Sequence, residues 1–161
     1  MGRNLNMNEI IVQRAEHVPG SHQAEHLDYA YTKKNIVGRS DASQCVVSVY
    51  EVPPGKAAYP YHYHLKNEEV FYILQGQGEL ITPQGCRTVE QGDFLFFPSN
   101  AAGAHKLINT SQTELLTYID FDTKNDLDVA CYPDSKKIGV WGLDTNCVFH
   151  MDDAVDYYSG E

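Results

Sequence analysis

The sequence predicts an all-β domain of the sandwich or barrel type. Short runs rich in β-branched and aromatic residues recur at intervals of about eight to twelve residues, and turns containing Gly or Pro separate them. Few windows show helical periodicity, and the candidate at residues 152–158 is too short to carry an architecture. A chain of 161 residues is long enough for one well-packed domain.

The predicted strands follow one another from residue 44 onward. Each combines β-forming residues with a turn signal at its end, such as Pro53-Pro54-Gly55 after the first strand. The segments are QCVVSVYEV (44–52), EVFYIL (69–74), GELIT (78–82), DFLFF (93–97), AHKLIN (104–109) and ELLTYIDF (114–121).

The flanks are expected to pack around this central region. Residues 1 to about 40 are polar and irregular in pattern, with one short extended segment expected around Glu9 to Gln13. Short strands are expected near Val129 to Tyr132 and Ile138 to Trp141. We therefore divide the chain into an N-terminal arm (1–40), a barrel (41–121) and a C-terminal extension (122–161) that wraps the barrel.

Composition excludes several classes of partner. A formal net charge of −10 argues against nucleic acid and against an anionic membrane surface. The apolar run at residues 10–12 is too short for a signal peptide or a membrane span, so a cytoplasmic protein is expected. The four cysteines are widely spaced and predicted to be free, mostly buried thiols: Cys45, Cys86, Cys131 and Cys147.

Acidic residues are concentrated after residue 119. The segment from Asp120 to Asp128 has the alternating acids of a calcium loop but lacks its central Gly and its final acid. We interpret it as a solvated acidic turn. His17, His22 and His26 have no supporting spacing and are expected on the surface.

A cluster of metal-ligating residue types lies in the middle of the chain. His62 and His64 share one face if they lie in a strand, Glu69 opens the next predicted strand, and His105 begins another. Three imidazoles and a carboxylate suit Mn, Fe, Co, Ni, Cu or Zn better than Ca or Mg. An isolated His-x-His is more often a polar stripe on a solvated strand, so the decision rests on the spacing of the residues that follow.

That spacing resembles the first motif of the cupin superfamily. The motif has a Gly, two His in the pattern HxH, a Glu after four further residues and a Gly after six more. Here the matching residues are Gly55, His62, His64, Glu69 and Gly76.

The second cupin motif is a Gly, five residues, a Pro, and then a His separated by three residues from an Asn. It is matched by Gly92, Pro98, His105 and Asn109. The amino-acid sequence from about Val49 onward is also similar to that of small single-domain bacterial cupins, some of which are described only as isomerase-like.

The chain departs from the family pattern in both motifs. Six residues rather than five separate Gly55 from His62, and the segment from Pro98 to the third histidine is longer than usual. Asn100 occupies the position of the usual Gly, and Gly103 is expected to serve the turn instead.

The resemblance implies a double-stranded β-helix, or jelly-roll, barrel that forms a homodimer. It implies one divalent transition metal per chain (Zn, Mn, Fe or Ni) held by His62, His64, Glu69 and His105. Spacing to the motif's final Gly favours Glu69 over the adjacent Glu68, which is then either solvated or in contact with a metal ligand. Four protein ligands around an octahedral metal leave two positions for water or substrate.

The expected partner of this site is a small-molecule ligand, and three functions of the protein remain open. The favoured one is an isomerase-type enzyme acting on a sugar or sugar-like compound; the alternatives are an Fe- or Mn-dependent dioxygenase and a non-catalytic, metal-dependent binding protein. The catalytic residues are unknown apart from the candidate Glu68. A phosphorylated sugar is disfavoured because none of the cations near the motifs lies in a recognisable anion loop: Lys56, Lys66, Arg87 and Lys106.

Overall fold

The computed structural model describes residues 10–142 and 144–161. Their strands are β1 (Gly20–His26), β2 (Tyr29–Val37), β3 (Cys45–Val52), β4 (Tyr63–His64), β5 (Glu69–Gln75), β6 (Gln77–Thr82), β7 (Gly85–Glu90), β8 (Phe94–Phe97), β9 (Lys106–Asn109), β10 (Leu116–Thr123), β11 (Leu127–Tyr132), β12 (Lys137–Gly142) and β13 (Thr145–His150). Short 3₁₀ turns lie at Ala15–His17, Ala101–Gly103, Pro133–Ser135 and Met151–Asp153. No helix in this part of the chain is long and apolar enough to cross a membrane.

The strands form antiparallel sheets of a jelly-roll barrel, which confirms the predicted fold class. A six-stranded sheet has the order β1-β2-β3-β10-β5-β8, a four-stranded sheet the order β13-β12-β11-β4, and a three-stranded sheet the order β7-β6-β9. The strands predicted at the centre of the chain all form, as do those predicted near residues 129–132 and 138–141.

Alternating apolar residues of these strands make one core inside the barrel. In β5, Phe71 and Ile73 point inward, and in β10 Leu116 and Tyr118 do the same. Phe71 and Tyr118 pack with ring centroids 4.7 Å apart. The period of two in each strand therefore fixes which face meets the core and which positions remain for polar side chains.

The N-terminal region differs from the expectation of an irregular arm. β1 and β2 form a hairpin that extends the six-stranded sheet through pairing of β2 with β3. Every residue of β1 is exposed, so the strand has no apolar alternation that could be detected in the sequence. Residues 10–13 are not in a strand, and Glu9 lies outside the described residues.

The cysteines are free, as predicted, but the expectation that they are mostly buried is wrong. Cys45, Cys86 and Cys147 are exposed, and Cys131 is half-buried. Cys86 and Cys147 lie on β7 and β13, which are edge strands of their sheets, and Cys45 is the first residue of β3. These positions leave the thiols outside the core.

The Asn that ends the second motif has a structural role. Asn109 is fully buried, and its Nδ2 donates to the carbonyls of Val52 and Glu114, both at 2.8 Å. Its Oδ1 accepts from the backbone N–H of Ser111 at 2.9 Å. One side chain thus joins the end of β9 to β3 and to the turn before β10.

Candidate metal centre and the cavity above it

The three-dimensional site begins with a short backbone bridge between the two motifs. The N–H of His62 donates to the carbonyl of His105 at 3.1 Å, and the reverse bond measures 2.9 Å. The two imidazole centroids consequently lie 4.8 Å apart. Glu69, the first residue of β5, enters the same space from a third direction.

Each histidine is oriented through its Nδ1 atom. Nδ1 of His62 lies 2.8 Å from the Pro60 carbonyl, and Nδ1 of His105 lies 2.9 Å from the Gly103 carbonyl. Nδ1 of His64 lies 2.5 Å from Oδ2 of Asp128. Because a carbonyl or carboxylate can only accept, Nδ1 carries a proton in all three rings, and in the neutral form of each ring Nε2 keeps a lone pair.

Three of the four predicted ligands converge at one point. Single ligand atoms of His62, Glu69 and His105 all lie within 4.8 Å of one another. His64 is outside that group, although its Nε2 is 3.6 Å from Oε2 of Glu69. Nε2 of His105 is 3.5 Å from the same oxygen.

The buried polar atoms of this cluster fit a metal. Oε2 of Glu69 and Nε2 of His105 are both buried and have no hydrogen-bond partner among the described residues. Burying such atoms unpaired is costly, and a cation between them would satisfy both. Nitrogen and carboxylate donors of this kind suit a divalent transition metal.

Burial sets the protonation states that a metal requires. It lowers the pKa of His62 to about 4, with a further lowering by His64, and it also lowers the pKa of His105. Both imidazoles are therefore neutral near pH 7 and able to act as ligands. Burial raises the pKa of Glu69 to about 7, so metal binding there competes with a proton.

Asp128 is a residue of the candidate site that the sequence did not reveal. It lies buried in β11, where Oδ1 accepts from the backbone N–H groups of Lys66 and Asn67 while Oδ2 holds His64. Burial opposes its ionisation, but the hydrogen bond and charge of His64 and the bonds from Lys66 and Asn67 together outweigh burial and lower the pKa of Asp128. An acid inside the short apolar strand LDVACY was the available signal.

The charge on Asp128 also acts on His64. Burial lowers the pKa of that imidazole, but the hydrogen bond to Asp128 and the nearby carboxylates raise it above its ordinary value. Glu68, the candidate from the sequence, is exposed, and its backbone N–H donates to Oγ1 of Thr123 at 2.8 Å. Its side chain thus lies on the solvent side of the strand that carries Glu69.

Aromatic rings close one side of the cluster. Phe97 stacks on His105 with centroids 3.6 Å apart, and Phe71 meets the same imidazole edge-on at 5.5 Å. The contact of Phe71 follows from its sharing a face with Glu69. These rings keep His105 away from water.

The loop of the second motif shows how Asn100 is accommodated at the position of the usual Gly. This residue has φ 74° and ψ −177°, a conformation that favours glycine, and its Oδ1 accepts from the N–H of Ala102 at 3.1 Å. Gly103 serves the turn as expected, because a Cβ at this position would overlap the Pro98 carbonyl. The longer loop nevertheless delivers His105 to the cluster.

Above the cluster lies a cavity of about 460 Å³. Asp120 and Asp122 of β10 line it from the six-stranded sheet, and Tyr132, Trp141 and Asn146 line it from β11, β12 and β13. The interpretation of residues 120–128 as a solvated acidic turn is therefore wrong. Alternation along β10 and β11 turns Asp120, Asp122 and Asp128 inward, so that the acids lie beside the metal cluster or in the cavity wall.

Two cations also reach the cavity, and neither is among those considered from the sequence. Lys33 comes from β2 and Arg39 from the turn that follows it. Nη2 of Arg39 lies 3.6 Å from Oδ2 of Asp122. Burial lowers the pKa of Lys33, although Asp120 and Asp122 act in the opposite direction.

The family model of the cupin domain matches residues 48–121. This segment contains both motifs and spans β3 to most of β10. Residues 48–121 therefore form a cupin domain.

Other proteins resemble this chain over different lengths. An uncharacterized protein of Aquifex aeolicus (strain VF5) is 34% identical over 58 residues, which is 36% of this chain and 46% of that protein. The chain thus matches about half the length of this curated relative.

Two crystal structures cover most of the chain. A protein of Acidithiobacillus ferrooxidans, provisionally assigned as a sugar phosphate isomerase, is 25% identical with a TM-score of 0.79, covering 91% of this chain and 96% of the other. A sugar phosphate isomerase of the cupin superfamily from Silicibacter pomeroyi is 17% identical with a TM-score of 0.76, covering 89% and 94%. The second likeness concerns the fold alone.

Proposed function

We propose that this cupin is a metal-dependent enzyme of isomerase type that acts on a sugar or sugar-like polyhydroxy compound. The observation that carries the proposal is the combination of three inward-facing Nε2 atoms and Glu69 with a cavity walled by carboxylates. Such a cavity offers room for a small organic molecule directly beside a metal. The resemblance in fold to the Acidithiobacillus ferrooxidans protein, provisionally assigned as a sugar phosphate isomerase, supports the reaction class.

The proposed ligands of one divalent transition metal (Zn, Mn, Fe or Ni) are His62, His64, Glu69 and His105. When bound, the metal would polarise a carbonyl or hydroxyl oxygen of the substrate. Asp128 would hold His64 in the tautomer that leaves Nε2 available.

We assign the proton transfers of the isomerisation to the carboxylates that line the cavity. Asp120 and Asp122 face the cavity, and each has a buried Oδ1 without a hydrogen-bond partner among the described residues. One carboxylate moves a proton from one carbon to the neighbouring carbon while the hydroxyl proton passes between the two oxygens, so the isomerisation needs no external oxidant or reductant. Aromatic side chains, among them Tyr59, Tyr132 and Trp141, line the cavity beside these carboxylates.

The first test is elemental analysis of the protein purified without added metal, beside a His62→Ala/His105→Ala double variant. We expect about one transition metal per chain in the wild type and its loss in the variant, because two of the inward Nε2 atoms are gone. A His22→Ala/His26→Ala variant is the matched control, since it removes two exposed imidazoles from β1. Equal metal content in all three proteins would reject the site.

The metal-loaded protein is then assayed for interconversion of aldoses and ketoses. Turnover that is lost in the double variant supports the isomerase. Iron together with substrate-dependent oxygen uptake would favour the dioxygenase instead, and ligand affinity without turnover would favour the binding protein. Assembly as a homodimer and a cytoplasmic location stay predictions.

A further inference from the structure

The wall of the cavity formed by β10 is rich in hydrogen-bond acceptors. Asp120 and Asp122 lie two residues apart and face the cavity together. Asp120 is only 7% exposed. The Oδ1 atoms of both residues are buried and have no partner among the described residues.

Buried hydrogen-bond acceptors without a partner favour a ligand that carries hydrogen-bond donors. A carboxylate oxygen accepts hydrogen bonds, and leaving it unpaired in a buried place costs free energy. Hydroxyl groups of a polyol supply such donors, and they would also stabilise the ionised forms of these carboxylates. A phosphate group offers mainly acceptor oxygens and negative charge, and these would be repelled here.

The two cations of the cavity are already engaged by groups of the protein. The guanidinium of Arg39 lies against Asp122, with Nη2 3.6 Å from Oδ2. Nζ of Lys33 lies over the ring of Tyr50, 5.1 Å from its centroid. A phosphate could recruit them only by displacing these contacts and by approaching the carboxylates.

The four-stranded sheet contributes a different surface. Tyr132 stacks on His62 with centroids 5.8 Å apart and an interplanar angle of 21°. Trp141 lies on the next strand, where Gly139 provides the space that its indole occupies, because a Cβ on Gly139 would meet indole atoms at 2.8 Å. Aromatic rings opposite an acceptor-rich wall match a sugar ring, whose C–H face is apolar while its edge carries hydroxyl groups.

We propose that the ligand of this cavity is an unphosphorylated sugar. Asp120 and Asp122 accept hydrogen bonds from its hydroxyl groups, and Trp141 covers one face of its ring. The assignment rests on the proposed function and deepens it, because it selects uncharged sugars over sugar phosphates.

Trp141 provides the measurement, since it is the only tryptophan of the chain. Its fluorescence is followed in the metal-loaded protein during titration with D-mannose, D-fructose and D-ribose, each compared with its terminal phosphate ester. We expect at least one neutral sugar to change the emission, with an affinity about tenfold or more above that of its ester.

An Asp120→Asn/Asp122→Asn variant tests the role of the wall. The amide side chains keep the shape of the carboxylates but lose their charge. We therefore expect the affinity for the neutral sugar to fall about tenfold, and the ratio of its affinity to that of the phosphate ester to become smaller. Asp122→Asn alone is the milder variant if the double variant does not fold. Glu68→Gln is the control, because it removes one exposed negative charge outside the cavity.

The outcomes separate this inference from the proposed function. Tighter binding of a phosphate ester, or no response to any of the neutral sugars, overturns the inference. Conversion of a sugar phosphate by the protein would overturn the inference while retaining the isomerase. Binding of a neutral sugar without conversion would retain the inference and reject the isomerase.

Discussion

Asp128 shows how much of the site depends on one buried side chain. Its two oxygens receive bonds from the backbone of Lys66 and Asn67 and from the imidazole of His64. The same carboxylate therefore positions the connection between β4 and β5 and fixes the tautomer of His64. Removing its charge should affect metal binding more than the surrounding packing.

We expect Asp128→Asn to weaken metal binding by about 10- to 100-fold. An amide can donate to Nδ1 of His64, which would move the ring proton to Nε2 and block that atom as a ligand. Competition for zinc with a chromophoric chelator measures the change. Glu68→Gln should leave the affinity unchanged, and an equal loss in both variants would show that net charge rather than the contact with His64 is responsible.

At the scale of elements, the alternation of apolar and polar residues decided which strands could be predicted. β5 and β10 are detectable because Phe71, Ile73, Leu116 and Tyr118 recur at every second position. β1 has no buried residue, so its polar sequence GSHQAEH does not indicate a strand. The residues His62, Glu69 and His105 follow a fixed spacing along the chain, so their clustering could be predicted.

The cavity wall could not be predicted in the same way. Lys33, Asp120 and Trp141 come from three distant strands, and only the pairing of β2, β3 and β10 and the packing of the four-stranded sheet bring them together. The acids after residue 119 have the composition of a surface turn, and their inward orientation depends on the register of β10 and β11.

The loop before β9 depends on the backbone conformation of Asn100. We expect Asn100→Ala to destabilise the protein by about 1–2 kcal/mol, because Ala is strained at a positive φ and also loses the cap on Ala102. Asn100→Gly loses the same cap but relieves the backbone, so it should be more stable than the Ala variant by about 1 kcal/mol. Urea unfolding of the two variants measures the difference, and equal midpoints would contradict a role for φ.

At the scale of the whole molecule, the barrel encloses several ionisable groups at one end. Burial raises the pKa of Glu69 to about 7, and it also raises the pKa values of Asp120 and Asp122. The pKa of His64 is raised as well, whereas that of His62 is lowered to about 4. The stability of the metal-free protein must therefore depend on pH, and the direction can be worked out from these shifts.

Above pH 6.5 the groups with raised pKa values all change the stability of the fold in the same direction. A group whose pKa is raised in the fold stabilises it fully below its ordinary pKa, and this stabilisation is lost as the pH rises through the folded value. That is the case for Glu69, Asp120, Asp122 and His64. His62 and His105, whose pKa values are lowered, act in the opposite direction only below about pH 6.5, where the unfolded imidazoles take up protons.

We therefore expect the metal-free protein to lose about 1 kcal/mol of stability between pH 6.5 and pH 8, which lowers its melting temperature by about 2–4 °C. Added zinc should oppose this trend, because the metal competes with protons at Glu69 and binds more tightly as the pH rises. Thermal unfolding in chelator and in zinc at both pH values measures the two effects. Glu69→Gln should be less sensitive to pH in chelator, because its amide does not titrate. A wild-type melting temperature in chelator that does not fall between the two pH values would show that these groups are not buried as the structure places them.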